Sequence, residues 1–131
     1  MRPRRAIVES WWSHSTPRPA TIHGEPGESV QVANVNIDLG NLLLGNLGAD
    51  TLHGDIGIDL IFGNDGDDPL LIGGGQVDLM FGGMGVDVLK GEAGGKIAEI
   101  NGYPIRLGNI MFGGDQDDTM WGGGDLDLMW G

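Results

Sequence analysis

Seven aspartates recur in phase along this chain: Asp50, Asp59, Asp68, Asp78, Asp87, Asp118 and Asp127. The steps are nine residues, except ten from Asp68 to Asp78 and a disturbed interval between Asp87 and Asp118. Each aspartate follows a glycine-rich stretch and precedes a short apolar run. Glycine turns let backbone carbonyls point inward, and an aspartate at the end of the turn adds a carboxylate. That donor set suits a hard cation with six to eight oxygen ligands, calcium better than magnesium. One aspartate in a Gly-rich loop is ordinarily a turn former; seven in phase read as ligands.

Composition points the same way. The net charge is -12, which opposes binding to nucleic acid phosphates and favours a cation as partner. Cysteine is absent, so disulfides and thiolate metal sites are excluded. His14, His23 and His53 form no HExxH motif, and His23-Gly24-Glu25 lacks the PCxxC of a zinc deaminase. With no GxSxG and no phosphate loop either, an enzyme is not expected.

The elements that must position these groups are repeats. The blocks are GNLGADTLH (45–53), GDIGIDLIF (54–62), GNDGDDPLLI (63–72), GGGQVDLMF (73–81) and GGMGVDVLK (82–90). A weak copy starts at Gly91, Asn109–Phe112 is a half-repeat, and GGDQDDTMW (113–121) and GGGDLDLMW (122–130) close the series. The stretch 36–44 is a degenerate copy with Asn41 where the aspartate belongs. The spacing predicts a six-residue turn followed by a three-residue strand. Glycines at the first, second and fourth positions are expected to supply φ > 0. The eighth residues Leu52, Ile61, Leu70, Met80, Leu89, Met120 and Met129 should point inward to a thin core. The seventh (Leu42, Leu60, Leu79, Val88, Ile110, Leu128) and ninth (Phe62, Phe81, Phe112, Trp121, Trp130) should face outward, as a docking stripe or partly packed under other chain.

If two repeats make one coil, Asp50, Asp68 and Asp87 line one side and Asp59 and Asp78 the other. Stacked turns lie about 4.8 Å apart. Two carboxylates at that distance repel by about 3.5 kcal/mol at an effective dielectric of 20. A Gly-rich chain with so thin a core is expected to be largely unfolded until a cation removes that repulsion.

These blocks resemble the glycine-rich nonapeptide of RTX proteins, the hemolysin-type calcium-binding repeat, over roughly residues 36–131. The resemblance implies an all-β fold, a right-handed parallel β-roll, with Ca2+ bound between stacked turns. By position it implies one site from Asn46, Gly48 and Asp50 with Gly63, Asp65 and Asp68. A second comes from Asn64, Gly66 and Asp68 with Gly82, Met84 and Asp87. A third comes from Asp55, Gly57 and Asp59 with Gly73, Gly75 and Asp78. Asn41 is expected to offer Asp59 a neutral oxygen, Asn109 to pair with Asp127, and Asp118 with the turn at Lys96. Lys96 stands where an aspartate is expected, opposite Asp78, so that turn should hold no ion. Gln76, Gln116 and Asp125 replace the fourth glycine, which calls the backbone geometry there into question.

Residues 1–29 hold four of the seven Lys and Arg, four of the six prolines and the Trp11-Trp12 pair. They read as a basic extended arm, its tryptophans packed on the first coil, without fixed structure, or anchored on a partner. Residues 30–131 read as the roll, with a strand over 30–39 and a protruding loop near 97–108. No run of about 18 apolar residues suggests a transmembrane segment. The basic start is followed by no continuous apolar core, so a signal peptide is not expected. The resemblance implies an extracellular module that folds on binding calcium and is linked to type I secretion. The alternative is a calcium-stapled solenoid that assembles or docks through its apolar stripe. The last repeat stops at Trp130-Gly131 without a polar cap, which suggests a fragment or a capping partner.

Overall fold

A computed structural model describes residues 7–9, 19, 21–24, 29–32 and 35–131. Trp11, Trp12, His14, Pro17 and Pro26 lie outside the described residues. Among those described there is no helix, hence none long and apolar enough to cross a membrane.

The strands are β1 (Ile7–Glu9), β2 (Thr21–His23), β3 (Ser29–Val32), β4 (Val35–Leu47), β5 (Thr51–Ile56), β6 (Ile58–Asp65) and β7 (Leu70–Gly75). They continue as β8 (Leu79–Met84), β9 (Val88–Ala93), β10 (Gly95–Ile100), β11 (Tyr103–Leu107), β12 (Ile110–Asp115), β13 (Thr119–Trp121) and β14 (Leu128–Trp130). Successive repeats alternate between two parallel sheets, one ordered β1-β4-β6-β8-β12-β14 and the other β13-β9-β7-β5-β2. In the first, Ile61 pairs with Leu43 and Met80, and Met80 with Met111. In the second, Leu52 pairs with Ile22 and Leu71, and Leu71 with Leu89. Among the described residues those eight side chains form the buried apolar core, one from each of eight strands, because each short strand can point only its middle residue inward. This is a parallel β-roll.

Four expectations need correction. The core residue of block 63–72 is Leu71, while Leu70 is only half-buried and pairs with Thr51. The extra residue of that block is therefore Pro69, taken up between Asp68 and the strand. Proline has no N–H to give a ladder, so it is tolerated at a strand's entry but not inside it. At the far end Met129 is 47 % exposed and Met120 only partly packed.

Second, residues 30–39 are not one strand. β3 and β4 form an antiparallel pair running from Ser29↔Asp38 to Val32↔Val35. Third, the region near 97–108 is an antiparallel hairpin, β10 with β11, closed by Asn101-Gly102 at φ 51° and 80°. Both central residues at positive φ is the turn geometry that Asn-Gly favours between twisted strands. Its Lys96 makes an ion pair with Glu99 instead of occupying a turn of the roll.

Fourth, the outward stripe is divided between the sheets. Leu42, Leu60, Leu79, Ile110 and Leu128 share the face of the first sheet with Phe62, Phe81, Phe112 and Trp130. The four aromatic rings stack at 4.9, 5.0 and 4.9 Å, nearly parallel. Val88 and Trp121 belong to the second sheet, where Lys90 lies over the Trp121 ring.

Within the segment read as an arm, β1 pairs with β4, and β2 pairs with β5 through Thr21↔Thr51 and His23↔His53. Each sheet thus gains a strand ahead of the first repeat.

Candidate metal centres

The turns between strands stack as two columns. In one, turn 45–50 lies on 63–68, which lies on 82–87. Leu47 pairs with Asp65 and Asp65 with Met84, and Gly48 N–H donates to Asp65 O (2.9 Å) and Gly66 N–H to Met84 O (2.8 Å). In the other, turn 54–59 lies on 73–78, with Asp55 paired to Gly74, Ile56 to Gly75, and Gly57 N–H donating to Gly75 O (3.1 Å). The side chains of Asn46, Asp65 and Met84 are exposed, so these residues can offer a site only their carbonyls.

The second and fourth turn positions take positive φ, at Asn46 (75°) and Gly48 (125°), Asp55 (79°) and Gly57 (132°), and Asn64 (77°) and Gly66 (137°). Gln76, Gln116 and Asp125 keep positive φ at 83°, 84° and 74°, inside the left-handed region that side chains can adopt. The geometry persists there. The first glycines do not take positive φ, contrary to expectation. They are required sterically: a Cβ on Gly63 would stand closer than 3.0 Å to both Asp68 Oδ2 and the Gly82 carbonyl oxygen. Gly54 is crowded likewise by Asp59 and Gly73, and Gly82 by Asp87 and Gly113.

Those contacts define the centre. Each repeat's aspartate points inward, and Asp59, Asp68, Asp78 and Asp87 bridge two gaps between turns. The Oδ1 accepts the backbone N–H of the aspartate one coil earlier: Asp68 from Asp50 (2.8 Å), Asp87 from Asp68 (2.9 Å), Asp118 from Asp87 (2.9 Å), and Asp78 from Asp59 (2.9 Å). In Asp59, Asp68 and Asp87 the Oδ2 crowds the same first glycine as the next turn's glycine carbonyl. For Asp59, Asp68, Asp78, Asp87 and Asp118 this oxygen is buried with no hydrogen-bond partner. A buried acceptor facing another acceptor is costly unless a donor or cation lies between them.

The same ladder corrects two partnerships. Asp118 stacks on Asp87, not on the Lys96 turn. The partner of Asp78 is Asn109, whose Oδ1 accepts Asp78 N–H at 2.8 Å. The hairpin is thus inserted inside a repeat whose turn starts at Gly91 and resumes at Gly108-Asn109. Asn109 N–H in turn donates to Asp127 Oδ1 at 2.6 Å.

Burial is the main cause of raised carboxyl pKa values: Asp78 is pushed up to about 8 and Asp68 to about 7. Asp59 and Asp87 are raised too, again chiefly by burial. The N–H bonds to Oδ1 work against this, and stacked carboxylates add to it. In the unfolded chain these groups titrate near 3.8. Between about pH 4 and pH 8 the metal-free roll therefore binds more protons than the unfolded chain, and its stability falls as pH rises. A proton on Oδ2 supplies the missing donor. In chelator, the far-UV β signal should grow on acidification from about pH 8 to about pH 5, and calcium binding at about pH 6 should release protons. A β signal independent of pH would contradict this electrostatic account.

Among the described residues no three His, Cys, Asp or Glu side chains gather at one point. A site here must combine carboxylate with backbone carbonyl oxygen. That is the chemistry of a hard cation such as Ca2+, not of a transition metal. The orphaned Oδ2 atoms fit such an ion.

A two-sheet parallel roll whose glycine turns present stacked buried aspartates defines a class, the calcium-binding nonapeptide-repeat solenoids. The family model of the RTX calcium-binding nonapeptide repeat matches residues 44–68, 70–95 and 107–131, and the chain belongs to that family. Comparisons with curated proteins and with solved structures returned no match.

Proposed function

We propose that this chain is a β-roll module that folds on binding several Ca2+ ions and acts as the folding- and secretion-linked part of an extracellular protein. The observation that carries the reading is the ladder of buried, partnerless Oδ2 atoms, those of Asp59, Asp68 and Asp87 beside the next turn's glycine carbonyl. With their carboxyls ionised, the gaps between stacked aspartates hold oxygens without a donor, and calcium supplies the positive centre that makes burial favourable. Four gaps have a carboxylate on each side: 50/68, 68/87, 87/118 and 59/78. The gap 78/109 offers one carboxylate and an amide oxygen. The ligands would be these carboxylates with the carbonyls of the second and fourth residues of one turn and the first and third of the next. A module of this kind stays unfolded where calcium is scarce and folds where it is abundant.

Far-UV circular dichroism tests the coupling. In chelator at neutral pH the chain should be mostly disordered, and millimolar calcium should produce β signal that equal magnesium does not. A fold that resists chelator at neutral pH would remove the basis for the proposal. The apolar face bearing the Phe62–Phe81–Phe112–Trp130 stack favours a second reading, a calcium-stapled solenoid that self-assembles. Light scattering during the same titration separates the two: a monomer supports the first, a growing assembly the second.

A further inference from the structure

Two buried positions of the ladder hold asparagine, Asn41 and Asn109. In the gap between Asn41 and turn 54–59, Asn41 Nδ2 donates to the Gly54 carbonyl (2.9 Å) and to Asp59 Oδ1 (3.0 Å). One gap further along, the equivalent atoms are all oxygens: Asp59 Oδ2 and the Gly73 carbonyl both crowd Gly54, and nothing donates to Oδ2. The amide NH2 stands where the acidic gap has an acceptor and no donor. Asn109 repeats the arrangement. Its Oδ1 accepts Asp78 N–H, which turns Nδ2 toward the Gly122 carbonyl at 3.3 Å. Asn109 Nδ2 and the Gly122 oxygen together crowd Gly91, as Asp59 Oδ2 and the Gly73 oxygen crowd Gly54.

We propose that Asn41 and Asn109 are metal-free staples, in which a side-chain amide takes the place of an ion in the gaps 41/59 and 109/127. The inference rests on the calcium reading of the acidic gaps and adds which gaps take none. A cation entering a stapled gap would meet N–H hydrogens, which repel it and already satisfy the facing oxygens. Both staples lie in the column of Asp59 and Asp78 and bracket those two residues. The column is therefore held at two places by bonds that need no calcium, whereas Asp50, Asp68, Asp87 and Asp118 run without one. Calcium-driven folding should start against the stapled turns, because there a hydrogen bond already offsets part of the ordering cost.

Two measurements test this on the full chain with calcium alone as ligand. Isothermal titration should find one more ion in Asn41→Asp, and one more in Asn109→Asp, than in the unmodified protein. Unchanged counts in both folded variants would overturn the proposal. Should either variant fail to fold, side-chain amide exchange in the unmodified, calcium-loaded protein decides the matter. The NH2 hydrogens of Asn41 and Asn109 should exchange at least about a hundredfold more slowly than those of exposed Asn101. Exchange as fast as at Asn101 overturns the staples even if calcium binds. An unmodified protein that takes up no calcium refutes the function proposed above instead, and the same amide exchange in the metal-free roll at about pH 5 then judges the staples.

Discussion

Replacing Asp68 by Ala is expected to remove two bound calcium ions and to raise the calcium needed for half-folding by at least about tenfold, roughly 1.4 kcal/mol. Asp68 serves two gaps. Its Oδ1 accepts Asp50 N–H at 2.8 Å on one side, and its partnerless Oδ2 faces the Gly82 carbonyl on the other. The substitution also strands the buried N–H of Asp50, for a further loss of about 1–3 kcal/mol. Because each coil touches only its neighbours, a fault in the middle also interrupts propagation along the array. Asp127 is different: it receives Asn109 N–H in the outermost stacked gap among the described residues. Asp127→Ala alters a gap that Asn109 staples without metal, so it should cost no ion and loosen only that coil. Bound calcium and the folding midpoint, measured for both variants, check this. Equal losses would mean that each loop binds its ion alone, as an EF-hand loop does, and that the stacking has no part in binding.

Gly63→Ala should be as damaging as Asp68→Ala, although it removes no ligand. Its Cβ would overlap both Asp68 Oδ2 and the Gly82 carbonyl oxygen, which are backbone or tightly held groups that cannot step aside. Overpacking alone costs about 1–3 kcal/mol, and displacing the carboxylate adds the loss of the ion. Gly75→Ala is the control. A Cβ there meets nothing within 4 Å, and Gly75 does not take positive φ. Its carbonyl survives the change, so calcium binding should be nearly unaltered. Calcium titrations followed by circular dichroism compare the two. Similar behaviour would show that glycine is needed only for chain flexibility.

The phase of the aspartates made the roll legible in the sequence, because a period of nine with an apolar residue two places after each carboxylate leaves few alternatives. Legibility failed where the period was interrupted. Pro69 moved the core position from Leu70 to Leu71, since counting assigned the extra residue to the following repeat boundary. The hairpin at 95–107 hid the resumption of its host repeat at Gly108-Asn109 and made Lys96 look like a turn residue. Two signals were available: Asn101-Gly102 between β-rich runs, and the match of Asn109-Ile110-Met111-Phe112 to Asp78-Leu79-Met80-Phe81. The strand at 21–23 was also readable, because Thr21-Ile22-His23-Gly24 echoes Thr51-Leu52-His53-Gly54 across 30 residues. What no one-dimensional pattern conveyed was the division of labour within a carboxylate, Oδ1 on a backbone N–H and Oδ2 left over. The steric role of the first glycine was hidden for the same reason. Both arise from contacts between residues about 18 apart in the chain, and only stacking brings them together.

The central claim is that those leftover oxygens are cation ligands. Isothermal titration of the metal-free chain with calcium at neutral pH tests it most directly. At least four ions should bind, one for each gap flanked by two carboxylates, with heat and β signal rising together. Millimolar calcium that binds fewer than two ions, or binds without any change in secondary structure, would contradict it.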